Sequence, residues 1–375
     1  MISTSKPRAR QLGVPFEGRP GPFNAITDVP GVEVGSCTLI EGGGKLVVGR
    51  GPVRTGVTAI IPRGKACSDR CFAAWFSLNG NGEMTGTTWI EESGCLEGPV
   101  LITNTHSVGA AHEAAIRWLK EKQMEQQTLQ KPWCLPVVAE TYDGFLNDID
   151  GFHVRAEHVL SALNDARSGP VPEGNVGGGT GMTLCEFKGG TGTSSRVVPV
   201  NRGGFNVGVL VQANYGKREH LRVAGVPVGR EISDLMPLTG LDDSIYDAGP
   251  GSIITVVATD APLIPVQLKA LVKRASMGLA RNGSIAERTS GDIFIAFSTG
   301  NRVPADGSGI GAVDMLPNEQ LTPLLGAVVE ATEEAILNAL VAADTMTGIN
   351  GNTAYAAPLD RLRAVLAKYN RLGKP

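Results

Sequence analysis

The sequence predicts an α/β fold of four layers, an α-β-β-α sandwich, in which two stacked sheets carry helices on their outer faces. Residues 205–213 and 252–257 are almost entirely apolar, which is typical of strands buried on both faces. Long helices are predicted at residues 107–126 and 318–343. Because several strands follow one another without an intervening helix, the sandwich fits better than a doubly wound parallel sheet.

The composition is that of a globular protein with a large core. Hydrophobic residues make up 42% and charged residues 19% of the 375 residues, and a single domain spanning residues 1–375 is expected. The net charge is −3 and neither sign is clustered along the chain. Nucleic acid is therefore not expected as a partner, because phosphate binding needs a concentrated basic face.

The sequence gives no sign of a membrane or a secretory route. Residues 1–28 carry Lys6, Arg8 and Arg10 but no apolar segment after them, and no run approaches the ~18 apolar residues of a membrane span. The six cysteines form no Cys-x-x-Cys pair, and a chain of this length needs no disulfides, so buried reduced thiols are expected. The cytoplasm is the expected location.

The predicted elements follow in order along the chain. The first ~25 residues, rich in Pro, Gly and Arg, form an extended arm that is either disordered or docked on a neighbour. A turn followed by a short strand is predicted at residues 26–35, and further strands are predicted at residues 58–62, 100–103, 135–140, 196–199, 205–213, 252–257 and 293–297. Helices are predicted at residues 107–126 (with Ser107 as N-cap), 152–166, 265–281, 318–343 and 359–369.

Two glycine-rich stretches, residues 174–181 and 189–196, are predicted as loops. The first lacks the Gly-Lys-Ser/Thr ending of a P-loop and the spacing of a dinucleotide fingerprint, so a nucleotide site is not expected. His153 and His158 lie five apart in a predicted helix, whereas a helical metal pair needs a spacing of four. They are interpreted as surface histidines, and no metal is expected.

Ser252 is the candidate nucleophile. It opens the buried strand directly after a Gly-Pro-Gly turn at residues 249–251, a position that a simple turn residue would also occupy. If the bond between Gly251 and Ser252 were cut, Ser252 would carry a free α-amine of pKa roughly 7.7–8 beside its own hydroxyl. Nucleophile and base would then be one residue.

The surroundings of Ser252 favour this chemistry over a catalytic triad. Gly251 has no side chain to hinder attack on its carbonyl carbon. All five histidines precede Ser252, and no Gly-x-Ser-x-Gly elbow surrounds it. The serine needs another base, and its own amine is the candidate.

Polar residues gather at the ends of other predicted strands. Asn214 follows a buried strand and is either an oxyanion donor or the anchor of a turn. Glu140 and Tyr142 stand together at the end of another strand. The turn cluster at residues 79–86 either lines a site or reverses the chain, and Ser290-Gly291-Asp292 precedes the strand at 293–297.

These segments together resemble the DmpA family of L-aminopeptidase/D-esterases and β-aminopeptidases. The resemblance extends over nearly all of residues 26–301. It rests on Ile-Thr-Asp-Val-Pro-Gly-Val (26–32), Asn-Gly-Asn-Gly-Glu (79–83), Thr-Asn-Thr-His-Ser-Val-Gly (103–109), Glu-Thr-Tyr-Asp-Gly (140–144), Gly-Asn-Val-Gly-Gly-Gly-Thr-Gly-Met (174–182), Gln-Ala-Asn-Tyr-Gly (212–216), the thirteen residues 251–263 and Ser-Gly-Asp-Ile-Phe (290–294).

The resemblance implies an N-terminal-nucleophile-like fold of the type that this family shares with ornithine acetyltransferase. It also implies a precursor that cuts itself between Gly251 and Ser252 into an α subunit (1–251) and a β subunit (252–375), which assemble as a tetramer of αβ heterodimers without metal or cofactor. The implied roles are Ser252 as nucleophile, Asn214 as oxyanion donor, Tyr142 as active-site tyrosine, Ser290 and Asp292 as the pair that orients the terminal amine, and Glu140 as the ligand of the substrate ammonium. Many β-aminopeptidases have Glu where this chain has Asp292.

Three functions follow from these observations. The first is an aminopeptidase that releases amino-terminal residues from short peptides, amides or esters with a free amino terminus. The second is an acyltransferase similar to ornithine acetyltransferase, whose nucleophile is usually Thr, so Ser252 disfavours it. The third is a binding scaffold that never cleaves. No motif in the sequence selects among L-α, D-α and β-amino acids.

Overall fold

Two β-sheets form the centre of the structure, a computed structural model that describes residues 6–67, 69–125, 133–199, 201, 203–241, 251–303 and 310–373. The first sheet has four strands in the order β1-β2-β5-β6, and the second has six in the order β4-β3-β12-β11-β10-β9. The strands are β1 (Glu33–Glu41), β2 (Val53–Ile61), β3 (Arg70–Ser77), β4 (Cys95–Leu96), β5 (Val100–Asn104), β6 (Val137–Thr141), β7 (Thr183–Leu184), β8 (Phe187–Lys188), β9 (Gly190–Val197), β10 (Asn206–Asn214), β11 (Ser252–Thr259), β12 (Asp292–Val303), β13 (Met346–Thr347) and β14 (Thr353–Ala354).

Helices cover the outer face of each sheet. The α-helices of the described residues are α1 (Thr87–Ser93), α2 (Val108–Glu125), α3 (Ala156–Asn164), α4 (Val228–Glu231), α5 (Pro265–Val272), α6 (Ala275–Arg281), α7 (Thr322–Ala342) and α8 (Leu359–Lys368). Helices α2 and α3 pack on the four-stranded sheet, and α5 and α7 pack on the six-stranded sheet. The prediction of an α-β-β-α sandwich is thereby confirmed.

The central strand β11 shows why its sequence lacks polar alternation. Successive side chains of a strand point to opposite faces. Ile253 and Val257 lie in the core beneath the helices, while Ile254 and Val256 lie in the core between the two sheets. Both faces are therefore buried, as the apolar run predicted.

The glycine run at residues 174–181 lies between the two sheets. Gly177–Gly179 form a buried single turn of 3-10 helix. A Cβ on Gly178 would lie 2.1 Å from Gln212 Oε1 in one sheet, and a Cβ on Gly177 would lie 2.3 Å from Thr58 Oγ1 in the other. These glycines permit close backbone packing between sheets, which accounts for the run without a bound nucleotide.

The N-terminal arm is docked, and its partner is the chain itself. Ala9, Leu12 and Val14 are buried in the core beneath the helices. The Ala9 N–H donates to Asn338 Oδ1 at 3.1 Å, and Arg10 Nε donates to Glu334 at 2.8 Å. Both partners belong to helix α7, so this part of the arm lies across that helix.

The stretch at 189–196 corrects the sequence-based prediction, because it forms strand β9 and not a loop. Helix α7 packs directly against this strand: a Cβ on Gly192 would lie 2.0 Å from the carbonyl oxygen of Ala335. Small residues are required by that close approach. Because this strand is rich in Gly, Thr and Ser, its local sequence is typical of a loop, and the prediction of a loop was wrong.

Three helix predictions also need correction. The helix predicted from residue 152 begins at Ala156, because Phe152 has a left-handed backbone with φ of 52°, and His153 lies ahead of the helix. Ser107 does not cap helix α2, since its Oγ is buried with no hydrogen-bond partner. The helix predicted at 265–281 is two helices, because α5 packs on the sheet while α6 packs on α7.

All six cysteines are free thiols. Cys71, Cys95 and Cys185 are buried, but Cys37, Cys67 and Cys134 are partly exposed, so the prediction of buried thiols holds for half of them. Within the described residues, no helix is both long enough and apolar enough to span a membrane.

Candidate active site

Three neighbouring strands bring Ser252, Asn214 and Asp292 together at one end of the six-stranded sheet. Ser252 is the first residue of β11, with 5% of its surface exposed. It pairs in register with Asn214, the last residue of β10, and its neighbour Ile253 pairs with Asp292, the first residue of β12. Strand pairing alone therefore fixes these side chains near one another.

The Asn214 amide is held in one orientation. Its Oδ1 accepts the Thr183 N–H at 2.8 Å, and its Nδ2 donates to the Tyr142 carbonyl oxygen at 3.0 Å. An amide nitrogen has two hydrogens, so one N–H of Nδ2 is left for another acceptor. A Cβ built on Gly251 would lie 2.9 Å from this nitrogen, which puts the free donor beside the Gly251–Ser252 bond.

The Ser290 and Asp292 side chains form a buried network behind Ser252. Ser290 Oγ donates to Asp292 Oδ1 at 2.6 Å, and Asn79 Nδ2 donates to Asp292 Oδ2 at 3.1 Å. The Asp292 N–H in turn donates to Asn79 Oδ1 at 2.5 Å. Burial raises the pKa of Asp292, whereas the donors Ser290, Asn79 and the Ile253 N–H lower it. The carboxyl group is thus fixed next to the start of β11.

Glu140 lies on the opposite sheet, at the end of β6. It is 3% exposed, and each carboxylate oxygen already accepts a hydrogen bond. The Glu83 N–H donates to Oε1 at 3.0 Å, and the Thr105 hydroxyl donates to Oε2. Burial raises the pKa of Glu140, and the two donors oppose this rise.

Tyr142 follows directly after β6 and stands at the mouth of the site. Its side chain is 49% exposed and lies against Gly144, where an added Cβ would be 2.3 Å from the phenol oxygen. Burial, followed by the charges of Asp143 and Asp150, raises the pKa of the Tyr142 hydroxyl. The phenol is therefore a neutral donor at neutral pH.

A cavity of about 460 Å³ joins these residues. Five of the predicted site residues line it: Glu140, Tyr142, Asn214, Gly251 and Ser252. Ser290 and Asp292 lie behind the wall, in contact with β11 and with Asn79. Residues 249 and 250 of the predicted Gly-Pro-Gly turn lie outside the described residues.

Sequence reasoning missed four members of the site: Asn79, Glu83, Thr105 and Thr183. Asn79 and Glu83 belong to the turn cluster at 79–86, which lines the site and does more than reverse the chain. The Thr105 hydroxyl donates a hydrogen bond to Glu140, and the Thr183 N–H donates one to Asn214. The turn cluster and the stretch 103–109 were visible as motifs, but no local pattern shows that they converge.

The fold and the sequence both have close relatives. Residues 24–354 match peptidase family S58. The β-peptidyl aminopeptidase BapA of Sphingosinicella microcystinivorans is 54% identical, with 99% of this chain and 94% of that protein aligned. A solved Burkholderia sp. β-aminopeptidase is 48% identical, with a TM-score of 0.86 over 98% of this chain and 100% of that chain.

A second solved structure, the L-aminopeptidase D-Ala-esterase/amidase of Ochrobactrum anthropi, is described as a prototype for the serine aminopeptidases and a variant of the Ntn hydrolase fold. It is 50% identical and superposes with a TM-score of 0.91, covering 98% of this chain and 100% of that chain. These relatives confirm the prediction of an aminopeptidase and favour it over the two alternatives, an acyltransferase and a binding scaffold. The chain belongs to peptidase family S58, the DmpA family, and is an aminopeptidase with an Ntn hydrolase fold.

Proposed function

We propose that the chain is a precursor that cuts itself between Gly251 and Ser252, and that the resulting enzyme hydrolyses amino-terminal residues from short peptides, amides and esters through Ser252. One observation carries the proposal. Gly251 fits so closely against Asn214 that an added Cβ would lie 1.7 Å from the Asn214 carbonyl oxygen and 2.9 Å from its Nδ2. This geometry supports a glycine acyl group held between a nucleophile and an oxyanion donor.

Maturation proceeds by an acyl shift. The Ser252 hydroxyl oxygen bonds to the Gly251 carbonyl carbon, the Gly251–Ser252 C–N bond breaks, and the hydroxyl proton passes to the Ser252 nitrogen. Water then hydrolyses the resulting ester. The products are the α subunit (1–251), which ends in a carboxylate, and the β subunit (252–375), which begins with a free Ser252 amine.

Turnover repeats the chemistry on a substrate. The Ser252 amine, with a pKa of roughly 7.7–8, takes the hydroxyl proton as the oxygen attacks the substrate carbonyl. The oxyanion accepts the free N–H of Asn214, and the leaving amine or alcohol takes the proton. Water completes the cycle by hydrolysing the acyl-enzyme. Asp292, held by Ser290, orients the new amine from the neighbouring strand.

Glu140 is the proposed ligand of the substrate ammonium. A buried carboxylate makes a charge-assisted hydrogen bond to a free amino group, but an acylated nitrogen offers it no positive charge. Tyr142 closes the mouth of the cavity above the substrate. The substrates are therefore small peptides, amides or esters with a free amino terminus, in line with the β-peptidyl, L-aminopeptidase and D-Ala-esterase/amidase descriptions of the relatives.

The assembly is proposed to be a tetramer of αβ heterodimers. Support comes from exposed apolar residues around the β1–β2 connection, where Ile40, Val47 and Val48 are 52%, 51% and 60% exposed, since such patches mark interaction surfaces. The cytoplasm is the proposed location. The six free thiols support it, because a reducing compartment keeps cysteines unpaired.

A denaturing gel tests the maturation. The wild-type protein should give two bands, and the amino-terminal sequence of the smaller band should begin at Ser252. Ser252→Ala should remain a single inactive polypeptide, because it has no hydroxyl to attack Gly251. Cleavage of purified Ser252→Ala at this bond would show that another nucleophile cuts the chain.

The hydrolysis of alanine p-nitroanilide and of its N-acetyl derivative tests the substrate class. The matured enzyme should turn over only the free amine, because the acetylated compound leaves the buried Glu140 carboxylate without a positively charged partner. Equal turnover of the two compounds would remove the aminopeptidase assignment. If the wild type discriminates and Glu140→Gln does so equally well, another group holds the amine.

A further inference from the structure

Two carboxylates, Glu83 and Glu140, face the cavity that contains Ser252. The described residues that line this cavity include no Lys or Arg. Apart from the amine that Ser252 would gain on maturation, the described lining therefore offers no basic side chain of Lys or Arg to neutralise these two carboxylates.

The side chains of the two carboxylates differ in how far they are held in place by the surrounding structure. Glu140 is buried, and both of its oxygens are tied by the Glu83 N–H and the Thr105 hydroxyl. Glu83 is exposed, so its side chain is free to turn toward a ligand. The backbone of Glu83 fixes the inner carboxylate, while the side chain of Glu83 remains available at the wall of the cavity.

The charges are close enough to act on each other. After burial, which is the largest effect, the negative charge of Glu83 also raises the pKa of Glu140, and His106 opposes it. A cation between the two carboxylates would relieve this repulsion and would be attracted by both. An ammonium group suits the position, because its three N–H donors serve two carboxylates at once.

We propose that Glu83 is the second carboxylate that binds the substrate's amino group. Glu140 contacts the ammonium group from the buried side of the cavity, and Glu83 contacts it from the exposed side. The inference rests on the proposed aminopeptidase function of the Ser252 site. It assigns Glu83, which lies in the connection between β3 and α1, a role in substrate binding and none in the bond-making steps at Ser252.

Glu83→Gln tests the inference, because glutamine keeps the size of the side chain and the backbone N–H that binds Glu140. With alanine p-nitroanilide, KM should rise about three- to tenfold, which corresponds to roughly 0.6–1.4 kcal/mol. Maturation and kcat should stay near wild type. Glu91→Gln is the matched control, since Glu91 is an exposed glutamate that pairs with Lys269 on the surface, and its KM should not change.

The pH profile separates ligand binding from a structural effect. Glu140 must be ionised to bind an ammonium group, so binding is lost as the pH falls through its raised pKa. Glu83→Gln removes a charge that raises this pKa, while His106 stays in place, so the acid limb of kcat/KM should move to lower pH. An unchanged KM with an unmoved acid limb in an active, matured Glu83→Gln enzyme would overturn the inference alone. A wild type that neither matures nor discriminates against the N-acetyl substrate would instead remove the proposed function.

Discussion

Replacing Gly251 with alanine should block maturation by steric overlap. The added Cβ would lie 1.7 Å from the Asn214 carbonyl oxygen and 2.7 Å from its carbonyl carbon, whereas ordinary contacts are 3.4–4 Å. One of the two segments must therefore move by about 1.7 Å. Asn214 pairs with Ser252 in the β10–β11 ladder, so this movement displaces the proposed oxyanion donor, the proposed nucleophile or both.

The size of the effect follows from this displacement. A misplacement of about 1 Å at a reacting centre can cost roughly 10²-fold in rate, so Gly251→Ala should mature at least about 100-fold more slowly than wild type. A time course on denaturing gels measures the loss of the precursor band. Ser252→Ala marks the complete block, and Gly109→Ala is the steric control, because a Cβ there meets nothing within 4 Å.

Maturation of Gly251→Ala at the wild-type rate would refute this prediction, since the added methyl group would then fit at a position where the structure leaves no space for it. The block should also be confined to maturation. Cleavage would make residue 251 the end of the proposed α subunit, no longer bonded to Ser252. It could then move away from Asn214, so the fraction that does mature should show kcat near wild type.

Two further predictions concern the matured enzyme. Asn214→Ala should fold but lose about 10²–10³-fold in kcat, because the proposed oxyanion donor is missing. Its maturation should slow as well. A loss of kcat below about tenfold in the matured enzyme would assign Asn214 to a structural role. Aspartic acid p-nitroanilide should be hydrolysed at least about tenfold less efficiently than asparagine p-nitroanilide, a compound of nearly the same shape, because Glu83 and Glu140 repel the substrate carboxylate. Equal kcat/KM for this pair would show that the carboxylates do not control binding.

The sequence predicted those parts of the site that depend on one strand at a time. The apolar run after Ser252 and the amide at the end of a second apolar run are both local signals, and each residue lies at the strand end that its pattern indicates. Their pairing across β10 and β11 follows from sheet order, which no local pattern encodes.

The parts that sequence reasoning missed depend on distant contacts. Asn79 reaches Asp292 across 213 positions, and Glu83 reaches Glu140 across 57. Turn residues with polar side chains have many possible partners, so their type alone selects none of them. Strand β9 was missed for a related reason: its small residues are dictated by helix α7, which lies far along the chain.

The order of strands in the larger sheet has a consequence for the two proposed subunits. Strands β11 and β12 of the β subunit lie between β3 and β10 of the α subunit, and the N-terminal arm of the α subunit crosses helix α7 of the β subunit. Cutting at Gly251 therefore nicks the polypeptide without creating two separable bodies. Either piece alone would present open strand edges and an uncovered apolar face, which favour aggregation. The two pieces should unfold in one cooperative transition, and the enzyme is expected to be assembled only by way of its uncut precursor.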